Sequence, residues 1–68
     1  MPLDPAKIKS LREKRKLTTA AAATAAGMDR PNWSRLENGR NSDPSLSTCE
    51  AVAAALGVPL AAIATRPA

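Results

Sequence analysis

Residues 17–39 read Leu17-Thr18-Thr19-Ala20-Ala21-Ala22-Ala23-Thr24-Ala25-Ala26-Gly27-Met28-Asp29-Arg30-Pro31-Asn32-Trp33-Ser34-Arg35-Leu36-Glu37-Asn38-Gly39. The pattern predicts two short helices joined by a tight turn. Thr18 is a capping residue, and a helix follows over 19–26. Gly27 ends it with a left-handed turn, and Met28 fills the connection. Asp29 is placed to cap the next helix, with Pro31 in the first turn, where a missing N–H costs nothing. That helix covers 30–37 and stops at Asn38-Gly39. Ala23, four residues before Gly27, leaves room for the two helices to approach closely. Trp33 and Leu36 are spaced i, i+3 and anchor the buried face of the second helix. With Trp33 inward and about 100° per residue, Pro31 and Arg35 point outward and Ser34 and Asn38 flank them. Arg30 sits near the leading end.

The flanks extend the same helical reading. Asp4-Pro5 starts a first helix that should end near Lys16. Ile8, Leu11 and Arg15 share one stripe of it, and Lys7, Lys9, Lys14 and Lys16 fall mostly outside. Residues 40–44 form a polar loop. Ser45 caps a fourth helix running to Leu56, with Leu46, Cys49, Val52, Ala53 and Leu56 on its inner face and Gly57 as its stop. Pro59 begins a short fifth helix containing Leu60 and Ile63, and 65–68 fray. The expectation is an all-α fold of five short helices, one domain over 1–68 with its core at about 4–65.

Bulk properties agree. A chain of 68 residues buries only about 60% of its unfolded surface, so it packs economically or dimerises. It has no Phe or Tyr, one Trp and much alanine, which predicts a thin, helix-rich core. The apolar run 20–26 falls far short of the ~20 residues of a membrane span, and no signal-peptide pattern opens the chain. A single Cys forms no internal disulfide, which suits a reducing cytoplasm. The absence of His and of clustered carboxylates argues against a metal site, a cofactor or an enzyme. Residues 1–40 hold nine Lys or Arg against four acids, a balance of +5, while 41–68 hold one Arg against two acids, a balance of −1. A basic N-terminal half suits a polyanionic partner or serves solubility.

Two helices of about eight residues around Gly27-Met28-Asp29 fit the helix-turn-helix, whose second helix enters the major groove of DNA. Residues 17–39 resemble, without a gap, the Xre family of phage Cro and lambda-type repressors. The matching residues are Leu17, Ala23, Gly27, Ser34, Leu36, Glu37, Asn38 and Gly39. The likeness extends to Arg12, to Pro44-Ser45-Leu46 and to Ala55-Leu56-Gly57-Val58. Ala22 and Ala26 stand where the family usually has leucine, and Trp33 where it has isoleucine or valine. We expect Trp33 to fill the volume the two alanines vacate. Thr19 stands where the family has glutamine and reaches less far.

Arg30 and Arg35 are the expected base readers, because arginine forks onto guanine O6 and N7. Asn32 and Ser34 can meet a base or a phosphate, or serve only as exposed or capping residues. Pro31 can touch a thymine methyl or simply start its helix. The resemblance implies that Thr19, Asn38, Arg40 and Asn41 clamp phosphates, which positions the protein without reading sequence. It also implies a partly buried ion pair between Arg12 and Glu37. Glu37 lies within about 40° of Trp33 on the helical wheel, so it leans inward and needs a partner. Lys7, Lys9, Lys14, Arg15 and Lys16 form a solvated face, some within reach of phosphates. Cys49 reads as a buried small hydrophobe or a redox sensor.

The expected function is sequence-specific binding of double-stranded DNA by a transcriptional regulator, a repressor, in the cytoplasm of a bacterial or phage system. A homodimer would read a pseudo-palindrome with half-sites about 34 Å apart. The expected dimer surface is Val58, Leu60, Ala61, Ile63 and Ala64. The alternative is a protein-interaction module, an antitoxin or adaptor with a toxin or anti-repressor as partner.

Overall fold

A computed structural model describes residues 2–41 and 43–65. Four α-helices follow one another: α1 (Pro5–Lys14), α2 (Thr19–Ala25), α3 (Arg30–Glu37) and α4 (Leu46–Leu56). The expected fifth α-helix is a single 3₁₀ turn, Leu60–Ala62. It forms a single i→i−4 bond, Ala64 N–H to the Leu60 carbonyl at 3.2 Å, and is otherwise held by i→i−3 bonds such as Ile63 N–H to the Leu60 carbonyl at 3.1 Å. Among the described residues no helix is long and apolar enough to cross a membrane.

Local chemistry accounts for the helix starts. Asp4 Oδ1 accepts from Ala6 N–H at 3.0 Å and Lys7 N–H at 3.4 Å. Thr18 Oγ1 accepts from Ala21 N–H at 3.0 Å, and Ser45 Oγ from Thr48 N–H at 3.3 Å. Asp29 occupies the cap of α3, yet its side chain makes no capping bond. The reason is Pro31. A capping carboxylate takes the N–H of the second or third helical residue. Proline removes the first of these, and Asn32 N–H is already held by the Asp29 carbonyl at 3.0 Å.

The four helix ends share one device, a left-handed residue followed by an N–H that reaches back over the last turn. These closing bonds are Leu17 N–H to Arg12 O at 3.1 Å, Met28 to Ala23 at 2.9 Å, Arg40 to Arg35 at 2.9 Å and Val58 to Ala53 at 3.1 Å. At α1 the left-handed residue is not glycine but Lys16, with φ 58°. That reversal ends α1 at Lys14, two residues before the expected end. Gly57 closes α4 with φ 67°. A Cβ there would also stand 2.0 Å from Arg15 Nη1, because Arg15 donates to the Leu56 carbonyl at 2.8 Å. Glycine is therefore favoured here by its backbone, while a Cβ would only require the flexible end of Arg15 to move aside.

The core joins Ile8 of α1, Ala22 and Ala23 of α2, Trp33 and Leu36 of α3, and Cys49, Val52, Ala53 and Leu56 of α4, with Leu3 and Ile63 from the ends. Trp33 is the largest wholly buried side chain. Ala22 is also fully buried and Ala26 packs at the margin of the core, so small residues on α2 accompany the large one on α3. Two expectations fail. Leu46, placed on the inner face of α4, is 56% exposed. The stripe is continuous on the wheel, but the buried part of α4 begins at Cys49, and its first residue stays outside the core. Ile63, placed on the dimer surface, is fully buried in its own chain. It is drawn in by the chain's beginning: Asp4 N–H donates to the Ile63 carbonyl at 2.8 Å, Thr65 N–H to the Pro2 carbonyl at 3.2 Å, and Leu3 pairs antiparallel with Ala64.

Candidate nucleic-acid interface

The packing of Trp33 and Leu36 fixes which side of α3 faces out. Arg30, Pro31, Asn32 and Arg35 are exposed on it, and Ser34 is half-buried at its edge. Asn38, Arg40 and Asn41 continue the exposed surface past the end of α3, and Thr19 is half-buried at the start of α2. α3 leans on α2 through Ala22 and Ala23 and on α1 through the core.

The structure sorts these residues further. Asn32 and Arg35 share an open groove of about 410 Å³ with Arg40 and Asn41. Met28 and Leu36 form its apolar part, and Thr48 of α4 closes the far side. Arg30, Pro31, Ser34 and Thr19 lie outside this groove. Two of the expected base readers, Asn32 and Arg35, and two of the expected phosphate holders, Arg40 and Asn41, thus meet in one concavity, which Asn38 does not line either. That set can donate to phosphate oxygens and to base edges alike.

Behind this surface lies a charged brace. Arg12 Nε donates to Glu37 Oε2 at 2.6 Å and Arg12 Nη2 to Oε1 at 3.2 Å. The pair is mostly withdrawn from water, with 13% of the Arg12 side chain and 7% of the Glu37 side chain exposed. Hydrogen bonding to Glu37 raises the Arg12 pKa above its ordinary value, so the cation persists at any working pH. Arg12 Nη1 also donates to the Leu17 carbonyl at 2.7 Å. The indole Nε1–H of Trp33 donates to Glu37 Oε2.

A helix-turn-helix domain family matches residues 6–65. The chain belongs to that helix-turn-helix family. It is 46% identical over 57 residues to the immunity repressor protein of Bacillus phage phi105, covering 84% of this chain and 39% of that one. It is 40% identical over 52 residues to the HTH-type transcriptional repressor RghR of Bacillus subtilis, covering 76% and 38%. The chain therefore spans about two-fifths of the length of these curated relatives. The crystal structure of the clp gene regulator ClgR from C. glutamicum superposes with a TM-score of 0.75 at 30% identity, covering 84% of this chain and 73% of that one. The likeness to Xre-type repressors drawn from residues 17–39 agrees with these matches.

Within this helix-turn-helix three features escape a reading of sequence. Thr48 lines the groove from a helix remote in the chain, and no local signal marks it. Arg15, on the stripe of Ile8 and Leu11 and also counted in the basic face of α1, reaches the end of α4, 41 residues away. The Trp33–Glu37 bond had a signal, the i, i+4 spacing that brings two side chains together on a helix. Cys49 is buried, its Sγ lies 3.8 Å from the Pro44 carbonyl, and burial pushes its thiol above the ordinary value.

Proposed function

We propose that this chain binds double-stranded DNA in a sequence-selective way and regulates transcription, as a repressor, in a bacterial cell or its phage. The observation that carries the reading is the groove in which Arg35 and Asn32 of the second helix face Arg40 and Asn41 of the following loop, on a helix-turn-helix frame. The names of both curated relatives describe repressors, which supports the sign of regulation. α3 enters the major groove, with Arg30 and Arg35 reading base edges and Pro31, Asn32 and Ser34 beside them. Thr19, Asn38, Arg40 and Asn41 hold the phosphates on either side.

One such helix covers few base pairs, so two copies would read a two-fold site with half-sites about 34 Å apart. With Ile63 buried, the residues left for the contact are Val58, Leu60, Ala61 and Ala64. Ala61 is exposed and the other three are half-buried.

Selection of a preferred duplex from random DNA tests the reading. On that duplex Arg35→Ala should cost about 1–3 kcal/mol and relax the preference at one base pair. Arg40→Ala should weaken all duplexes alike and lower the salt slope by about 1. Equal, sequence-blind losses from both variants would overturn the division of roles. Failure to enrich any duplex would overturn the reading as a whole.

A further inference from the structure

The three side chains of the brace belong neither to the readers nor to the clamp. Glu37 Oε2 receives two donors, Arg12 Nε at 2.6 Å and the indole N–H of Trp33. Each donor limits the carboxylate differently. Arg12 ties it to α1, and through Nη1 to the Leu17 carbonyl at 2.7 Å. Leu17 directly precedes Thr18, whose hydroxyl caps α2. Trp33 ties the carboxylate to α3 itself, one turn back. A glutamate held only by arginine can swing on its own three side-chain torsions, so α3 could shift while the ion pair stayed closed. Trp33 is wholly buried and has no such freedom. Its N–H fixes the carboxylate to α3, and Arg12 then docks on a rigid acceptor.

We propose that Trp33 is a positioning residue for sequence reading. Through Glu37 and Arg12, its N–H sets α3 against the start of α2, and so sets the distance between Arg30 and Arg35 on one side and Thr19 on the other. This rests on the DNA reading above. Base edges tolerate misplacement poorly, because a functional constellation must be held within about 0.5 Å. Phosphate contacts form on any sequence and tolerate more. Loss of the N–H should therefore lower selectivity and spare non-specific binding.

The test replaces Trp33 by β-(3-benzothienyl)alanine, which keeps the shape and puts sulfur where the N–H stood. Binding is measured to the duplex that the wild-type protein enriches from random DNA and to a scrambled duplex, with the folded state checked by circular dichroism. The ratio of the two affinities should fall about tenfold, the scale of one good base contact, with scrambled binding unchanged. An unchanged ratio in the folded isostere overturns the proposal, as does a parallel loss on both duplexes. A second readout needs no variant. Exchange of the Trp33 indole N–H in the wild-type protein should slow on the enriched duplex relative to the scrambled one, and equal exchange on both overturns the proposal. A wild-type protein that enriches no duplex overturns the DNA reading, and this inference with it. A wild type that enriches one while the isostere matches it overturns this inference alone.

Discussion

Removing the cation of the brace tests how much of the fold depends on it. In Arg12→Met the Glu37 carboxylate keeps only the indole donor, and the Leu17 carbonyl loses its guanidinium partner. Exposed ion pairs are worth about 0–1 kcal/mol, but these side chains are only 13% and 7% exposed. The relevant scale is that of a buried pair broken on one side, about 3–5 kcal/mol. Because the native pair is not wholly withdrawn from water, we expect a loss at the low end, about 3 kcal/mol. A domain of 68 residues has only about 3–10 kcal/mol in total, so the variant should be close to unfolding. Glu37→Gln should cost less, about 1–2 kcal/mol, since a neutral amide carbonyl still accepts from Trp33 and the guanidinium can turn to water. The double variant has no buried charge left unpaired. Its loss should fall short of the sum of the single losses by about 2 kcal/mol. Urea unfolding followed through the fluorescence of the single, buried tryptophan, at low temperature, measures all four proteins. Single losses that add to within about 0.5 kcal/mol would refute the brace as a coupled unit.

Further outcomes concern the helix ends and the core. Lys16 adopts φ 58°, which an L side chain resists, so Lys16→Gly should stabilise the fold by about 0.5–1 kcal/mol; a lower urea midpoint would contradict this. Burial raises the Cys49 thiol, so the folded chain keeps its proton where the unfolded chain has lost it. Stability is then full below the ordinary thiol value and falls as the pH rises past it, and Cys49→Ala should remove that part of the slope in urea midpoints taken from neutral to alkaline pH. Leu46 is 56% exposed, so Leu46→Ser should change stability by less than about 0.5 kcal/mol, and a loss of several times that in the same assay would place it in the core.

The bounds of α3 were legible because both ends carry local markers, Pro31 in its first turn and Gly39 after its last. α1 was read two residues too long because its closing residue is a lysine, which gives no hint of a left-handed backbone. The orientation of α3 followed from Trp33 and Leu36 alone, and with it the exposure of Arg30, Pro31, Asn32 and Arg35. What escaped was set by partners distant in sequence. Nothing near Arg15 announces the Leu56 carbonyl, and nothing near Ile63 announces that Leu3 and Asp4 will draw it inward. Leu46 shows the opposite error. Its stripe was read correctly, but a helical wheel does not say where the opposing layer ends.

The pairing of the two ends has a mechanical meaning. Pro2 and Thr65 sit at the same end of the antiparallel contact. Tension applied between them would not shear the two hydrogen bonds together. It would open them one after the other, Pro2–Thr65 first and Asp4–Ile63 second, as a zip opens. Leu3 and Ile63 lie between and beside these bonds and would leave the core as it parted. The domain should therefore yield to a small force at its ends, while α2 and α3 stay packed around Trp33.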